Sequence, residues 1–200
     1  MVFFVITGHD VPQPPAVFFH EDEGGKLAPR PQYADLACRV CGKFDELEAL
    51  SRGVDDKIVI RTKRNILPSM EDMTIVDRRA RAVLESIDGI QLSFFQFPQS
   101  PGYHVAVPKL LIQPRSGDQG FRFHPQCKAC SRHQQILFGN GLPAIPEGAS
   151  FGGFGMESRL AMKPILFASE AIAKKLQAIT PPLAKLVAQR LPIVPDESCV

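Results

Sequence analysis

Cys38-Arg39-Val40-Cys41-Gly42 and Cys127-Lys128-Ala129-Cys130-Ser131-Arg132-His133 decide how the rest of this chain is read. Each stretch is a Cys-x-x-Cys knuckle that can turn two thiolates onto one ion, and two knuckles supply the four soft ligands that tetrahedral Zn²⁺ prefers. The chain has 5 cysteines, and four of them fall into these two pairs of identical spacing. A structural zinc site of Cys38, Cys41, Cys127 and Cys130 is the first reading; a redox dithiol, another metal and chance spacing are its alternatives. A redox Cys-x-x-Cys sits where a helix N-terminus acidifies the first thiol, whereas Cys127 follows Phe121-Arg122-Phe123-His124-Pro125 and precedes a polar segment. Gly42 suits a turn of positive φ after the first knuckle, and Ser131 stands at that position in the second. His124 and His133 flank the second knuckle and are alternative ligands for one cysteine.

Roughly 85 residues separate the pairs, far more than the 15 to 20 of an autonomous zinc ribbon. The site must therefore clip distant parts of one domain, and metal binding becomes folding free energy. With 200 residues, 44% of them hydrophobic and 22% charged, a single domain over 1–200 is expected. Its parts are an N-terminal strand and loop (1–35), a zinc-clipped sheet and helix region (36–133), and a glycine-rich loop, strand and C-terminal helices (134–200). A net charge of +2 gives no electrostatic case for nucleic acid. Met1 to Ile6 is apolar but too short for a signal peptide or a membrane span, so no membrane is expected. Paired free thiols without an export signal point to the cytoplasm, and Cys199 reads as an unpaired thiol in the tail.

Along the chain, residues 1–7 read as a core strand and His20 to Gly25 as an acidic loop carrying Glu21, Asp22 and Glu23. Phe44 to Leu50 suits a short helix or an extended segment. Lys57-Ile58-Val59-Ile60-Arg61 is β-branched and reads as a strand, followed by the basic group Arg61, Lys63, Arg64. Apolar residues at helical spacing from Thr74 to Asp88 predict the one long helix, with Gly89 as its left-handed terminus. Ile90 to Phe97 is expected as a central strand, Tyr103 to Val107 as a second, and Arg115 to Gly120 as a turn. Gly139 to Gly155 reads as a long surface loop displaying Phe151 and Phe154. Pro164 to Ala168 reads as a buried strand, Ser169 as the cap of a helix over 170–179, and Pro181-Pro182 as the start of a second helix to about Leu191. The expected fold is thus α+β: a mostly antiparallel sheet, one long helix and a C-terminal helical pair, pinned by the four-cysteine site.

Catalytic zinc keeps an open coordination position. Pro125-Gln126-Cys127-Lys128-Ala129-Cys130 matches the P-C-x-x-C half of zinc deaminases, but no H-x-E half accompanies it. No nucleophile elbow, H-E-x-x-H helix or phosphate loop is present.

An apolar opening strand, a C-x-x-C-G knuckle at Cys38, Cys41 and Gly42, a middle sheet-and-helix region, a second knuckle at Cys127 and Cys130, and a Phe167-Ala168-Ser169-Glu170 helix entry together resemble the bacterial double-CxxCG motif proteins. That resemblance implies a zinc-ribbon-like site and, for some members, an immunity protein paired with a secreted or exchanged toxin. On that resemblance the chain is expected to be a non-enzymatic binding protein that occludes a cognate toxin, and the acidic and glycine-rich loops offer Glu21, Asp22, Glu23, Phe151 and Phe154 as candidate contacts. A nucleic-acid adaptor using Arg61, Lys63, Arg64 and the helix arginines is the alternative, and a metal-dependent enzyme the third.

Overall fold

The computed structural model describes residues 2–8, 11–114, 121–138, 144–157, 162–190 and 193–194. Expectations for Arg115 to Gly120, for the start of the glycine-rich stretch at 139–143, for Leu191 and for Cys199 lie outside the described residues.

In chain order the elements are β1 (Val2–Thr7), β2 (Phe19–Glu21), β3 (Leu27–Pro29), a 3-10 helix (Pro31–Leu36), α1 (Glu46–Ser51), β4 (Ile66–Pro68), β5 (Thr74–Asp77) and α2 (Arg78–Ser86). They continue with β6 (Leu92–Phe97), β7 (Ser100–Pro108), β8 (Leu111–Ile112), β9 (Phe121–Phe123), β10 (Ile136–Phe138), β11 (Ile145–Pro146), β12 (Phe151–Glu157), β13 (Met162–Ser169), α3 (Glu170–Gln177), β14 (Lys185–Arg190) and β15 (Ile193–Val194). Two principal sheets result. One has the order β14-β1-β13-β12-β8, antiparallel except for the β12-β8 pair; the other, β4-β5-β7-β6, is antiparallel throughout.

Period-2 alternation sorts the side chains of both sheets into three cores. Between the sheets, Ile6, Val76, Ala106, Phe151, Leu166 and Ala168 meet Leu84 of α2 and Ile172 and Leu176 of α3. Beyond the four-stranded sheet, Leu67, Ile75, Val105 and Val107 pack under Phe18, Phe19, Tyr33, Phe44 and Leu50. Beyond the five-stranded sheet, Phe3, Phe154 and Phe167 form a smaller aromatic core that Phe121 touches. Neighbouring residues part company: Ile75 and Val76, Val105 and Ala106, and Phe167 and Ala168 each face opposite cores.

The mostly antiparallel α+β class holds, but the one long helix and the C-terminal helical pair do not. Thr74-Ile75-Val76 is a strand, its β-branched residues registered against Ala106, Val105 and His104, and the helix that follows runs only from Arg78 to Ser86. Asp77 caps it, its carboxylate accepting the Ala80 N–H at 2.7 Å. Gly89 does adopt positive φ, 89°. α3 begins at the Ser169 cap as expected, but the C-terminal pair fails. Lys185 to Arg190 is a strand that pairs with the whole of β1, since β1 otherwise has one edge open. β6 is an edge strand, not a central one. Lys57 to Arg61, expected as a strand, pairs with none among the described residues.

The glycine-rich display loop is also corrected. Phe151-Gly152-Gly153-Phe154 is the start of β12, and the side chains of Phe151 and Phe154 are 5% and 0% exposed. The glycines serve close approach: a Cβ at Gly152 would stand 2.8 Å from the Phe167 ring, and one at Gly153 2.6 Å from Pro108. Phe154 stacks on Phe167 at 4.8 Å between centroids. Both phenylalanines are core, and neither offers a surface contact. Phe154→Ala should therefore destabilise the protein by about 3–5 kcal/mol in denaturant unfolding; a change under about 1 kcal/mol would contradict this packing.

Candidate metal centre

The two knuckles fold alike although their surroundings differ. In the first, Cys38 N–H donates to Lys43 O and Gly42 N–H to Cys38 O, both at 2.7 Å; in the second, Cys127 N–H donates to Arg132 O at 2.9 Å and Ser131 N–H to Cys127 O at 2.8 Å. Single bridges close both turns, Ala37 with Phe44 and Gln126 with His133. The residue after the second cysteine is left-handed in each: Gly42 at φ 73° and Ser131 at φ 57°. Serine thus takes the glycine conformation that the double knuckle requires, at a cost of roughly 1–2 kcal/mol.

The first knuckle hangs between the 3-10 helix and α1, over the core that holds Tyr33 and Phe44. The second is the tip of the two-stranded β9-β10 hairpin. Their four Sγ atoms all lie within 4.8 Å of one another. Cys38 faces Cys127 at 3.8 Å, and Cys41 faces Cys130 at 3.6 Å. A disulfide needs about 2.05 Å, whereas sulfurs on a tetrahedron around one ion at about 2.3 Å stand ~3.8 Å apart. The spacing fits a metal centre, and all four expected ligands meet.

Electrostatics point the same way. The N–H groups of Cys41 and Val40 hold the Cys38 thiol down to about 6. Those of Ala129 and Cys130 lower Cys127, with Ala129 N 3.4 Å from its sulfur. Cys41 moves up to about 12, chiefly through loss of hydration, with the other three sulfurs adding to it. Two acidified thiols, Cys38 and Cys127, thus stand beside Cys41, whose ionised form is disfavoured there, and a divalent cation among them would favour the thiolate of each.

His124 and His133 are not in the cluster. His133 Nδ1 meets the His124 carbonyl at 2.6 Å, its ring lies edge-on to Phe123, and it braces the hairpin.

Arg132 is the functional residue the sequence reading missed. Its guanidinium donates to the Phe44 carbonyl and lies 3.6 Å from the buried Glu46 carboxylate, so one side chain of the second knuckle reaches across to the first. Its place directly after the Cys-x-x-Cys-Ser turn was the available signal.

The other candidates disperse. Glu21, Asp22 and Glu23 are exposed at the turn of the β2-β3 hairpin, where Asp22 accepts N–H groups from Gly24 and Lys26 at 2.9 Å. Two of the arginines of α2 are occupied: Arg79 reaches Asn65 and Pro181 O, and Arg81 joins Glu85, His104 and the Phe94 ring. No helix among the described residues is long and apolar enough to cross a membrane.

No protein-family model, curated protein or solved structure matches the chain.

Stripping the metal with a strong chelator should lower Tm by roughly 10 °C or more, since about 1 kcal/mol moves a chain of this size by some 2–4 °C; an unmoved melt contradicts the clip. Ser131→Gly should raise stability by about 1 kcal/mol in denaturant unfolding while leaving metal stoichiometry unchanged, and destabilisation would refute the left-handed turn.

Proposed function

We propose that this is a non-enzymatic, zinc-stabilised binding protein of the cytoplasm, and most specifically an immunity protein that neutralises a cognate bacterial toxin by occlusion. The observation that carries the zinc reading is the tetrad of sulfurs at tetrahedral spacing. Zn²⁺ is the metal this donor set favours. Held by four thiolates, it has no position left for water or substrate, which favours a structural role. The immunity reading rests on the resemblance to double-CxxCG proteins. It is supported by the second knuckle, where Ser131 adopts the glycine conformation of that motif.

Occlusion requires a surface held in advance, because ordering a loop on binding subtracts from affinity. The acidic β2-β3 hairpin meets that requirement. It emerges from Phe18 and Phe19 in the core, and the Asp22 side chain ties its turn. Glu21 and Glu23 are exposed beside it and would face a cationic toxin surface.

The test is capture of the stoichiometric partner from the native host's lysate, followed by expression of that partner in a surrogate host with and without this protein. Growth arrest by the partner alone and rescue on co-expression is the expected result. A harmless partner, recovered nucleic acid, or none would overturn the reading. Glu21→Lys with Glu23→Lys should weaken rescue without moving the melt.

A further inference from the structure

Ile58 to Thr62 has the β-branched composition of a strand, yet no described strand pairs with it. Its hydrogen bonds alternate. Ile58 N–H donates to Asp55 O at 3.3 Å, Ile60 N–H donates to Ser100 Oγ at 2.9 Å, and Thr62 O accepts from the Tyr103 hydroxyl. Between these, no hydrogen bond among the described residues reaches the backbone of Val59 or Arg61. Burial alternates in step: Ile58 is 5% exposed and Val59 49%, with Ile60 half-buried and Arg61 exposed. In an extended chain the N–H and C=O of one residue face the same side and those of the next face the other. Ile58 N–H closes a turn on Asp55, and beyond it the Val59 and Arg61 backbone is left open among the described residues, as an unpaired strand edge would be.

A cleft of about 530 Å³ lies along it. Its opposite wall is the Val11 to Pro15 stretch, and the buried Leu67 closes it. Pro12 and Pro15 have no N–H to offer, so that wall confines a guest chain without competing for its carbonyls. Charge selects the guest. Arg61 lines the cleft, Lys63 and Arg64 follow it, all three are exposed, and none forms an ion pair among the described residues.

The geometry points to this cleft as the docking site for an extended, acidic peptide segment of a protein partner, which adds as a strand to Val59 and Arg61. The guest's backbone pairs with the two free residues, while its carboxylates meet Arg61, Lys63 and Arg64. This rests on the protein-binding reading above but not on the partner being a toxin.

The probe is a fluorescein-labelled nonapeptide of alternating Glu and Val, titrated with the metal-loaded full chain and followed by fluorescence polarisation. Saturable binding is expected. N-methylation of one alternate set of residues should weaken it about tenfold or more while the other set matters little, because only one set faces the cleft. Arg61→Glu should cost about tenfold at low salt with an unchanged melt, and a nonapeptide with Lys for Glu should not bind. Absence of saturable binding, equal tolerance of both N-methylated sets, or retention of an oligonucleotide in place of the peptide would overturn the proposal. So would self-association of the chain through this edge without peptide binding. The rescue assay separates the two readings: Arg61→Glu that loses the peptide but still protects removes the cleft from neutralisation, whereas failure of the unaltered chain to protect removes the immunity reading and leaves the cleft standing.

Discussion

The convergence of four sulfurs is the constraint on which the rest depends. Cys38 and Cys127 are 89 residues apart in the chain, and a cross-link of that span removes about 4–5 kcal/mol of loop-closure freedom from the unfolded ensemble in the chain-entropy account. Its position matters as much as its strength. The first knuckle belongs to the core outside the four-stranded sheet through Phe44, while the β9-β10 hairpin that carries the second touches the core outside the five-stranded sheet through Phe121. An ion held by the four sulfurs would therefore tie the outer layers of both sheets, and Arg132 adds a polar bond across the same junction.

Both candidate binding surfaces lie on the side of the molecule that regular structure stabilises least. The segments from Val11 to Phe19 and from Val54 to Arg64 form no long ladder and are held by isolated polar clamps. The Glu71 carboxylate accepts N–H groups from Val17, Phe18 and Phe19 at 3.0 to 3.2 Å. Arg30 bonds Asp55 at 3.3 Å, and Tyr33 donates to Gly53 O at 2.6 Å. With so few ladder bonds, this lobe relies on Phe18, Phe19, Tyr33 and Phe44 packing together under the knuckle. The acidic hairpin and the basic cleft are thus displayed from a layer that packs directly beneath the four-cysteine cluster.

The parts of this arrangement that were legible in the sequence are those set by local chemistry. A Cys-x-x-Cys spacing fixes its own turn, a serine before Glu170 caps α3, and both are found as read. What failed was decided by partners far away in the chain. Lys185 to Arg190 carries Leu186 and Val187 in a pattern that suits helix or strand, and only the open edge of β1 settles the matter. Thr74 to Val76 was absorbed into the helix that follows because the apolar period of α2 extends back over it, although β-branching marked the boundary. The glycines at 152 and 153 looked like loop residues, and it took Phe167 and Pro108 at their missing Cβ positions to explain them. Lys57 to Arg61 has the β-branched composition of a strand, and it forms none because no described strand lies alongside to pair with it.

The most direct test of the central claim is metal analysis of the purified chain combined with X-ray absorption at the zinc edge. One zinc per chain, surrounded by four sulfurs at about 2.3 Å, is the predicted result. A shell containing nitrogen or oxygen, or a metal-free chain whose four cysteines are joined as disulfides, would contradict the account.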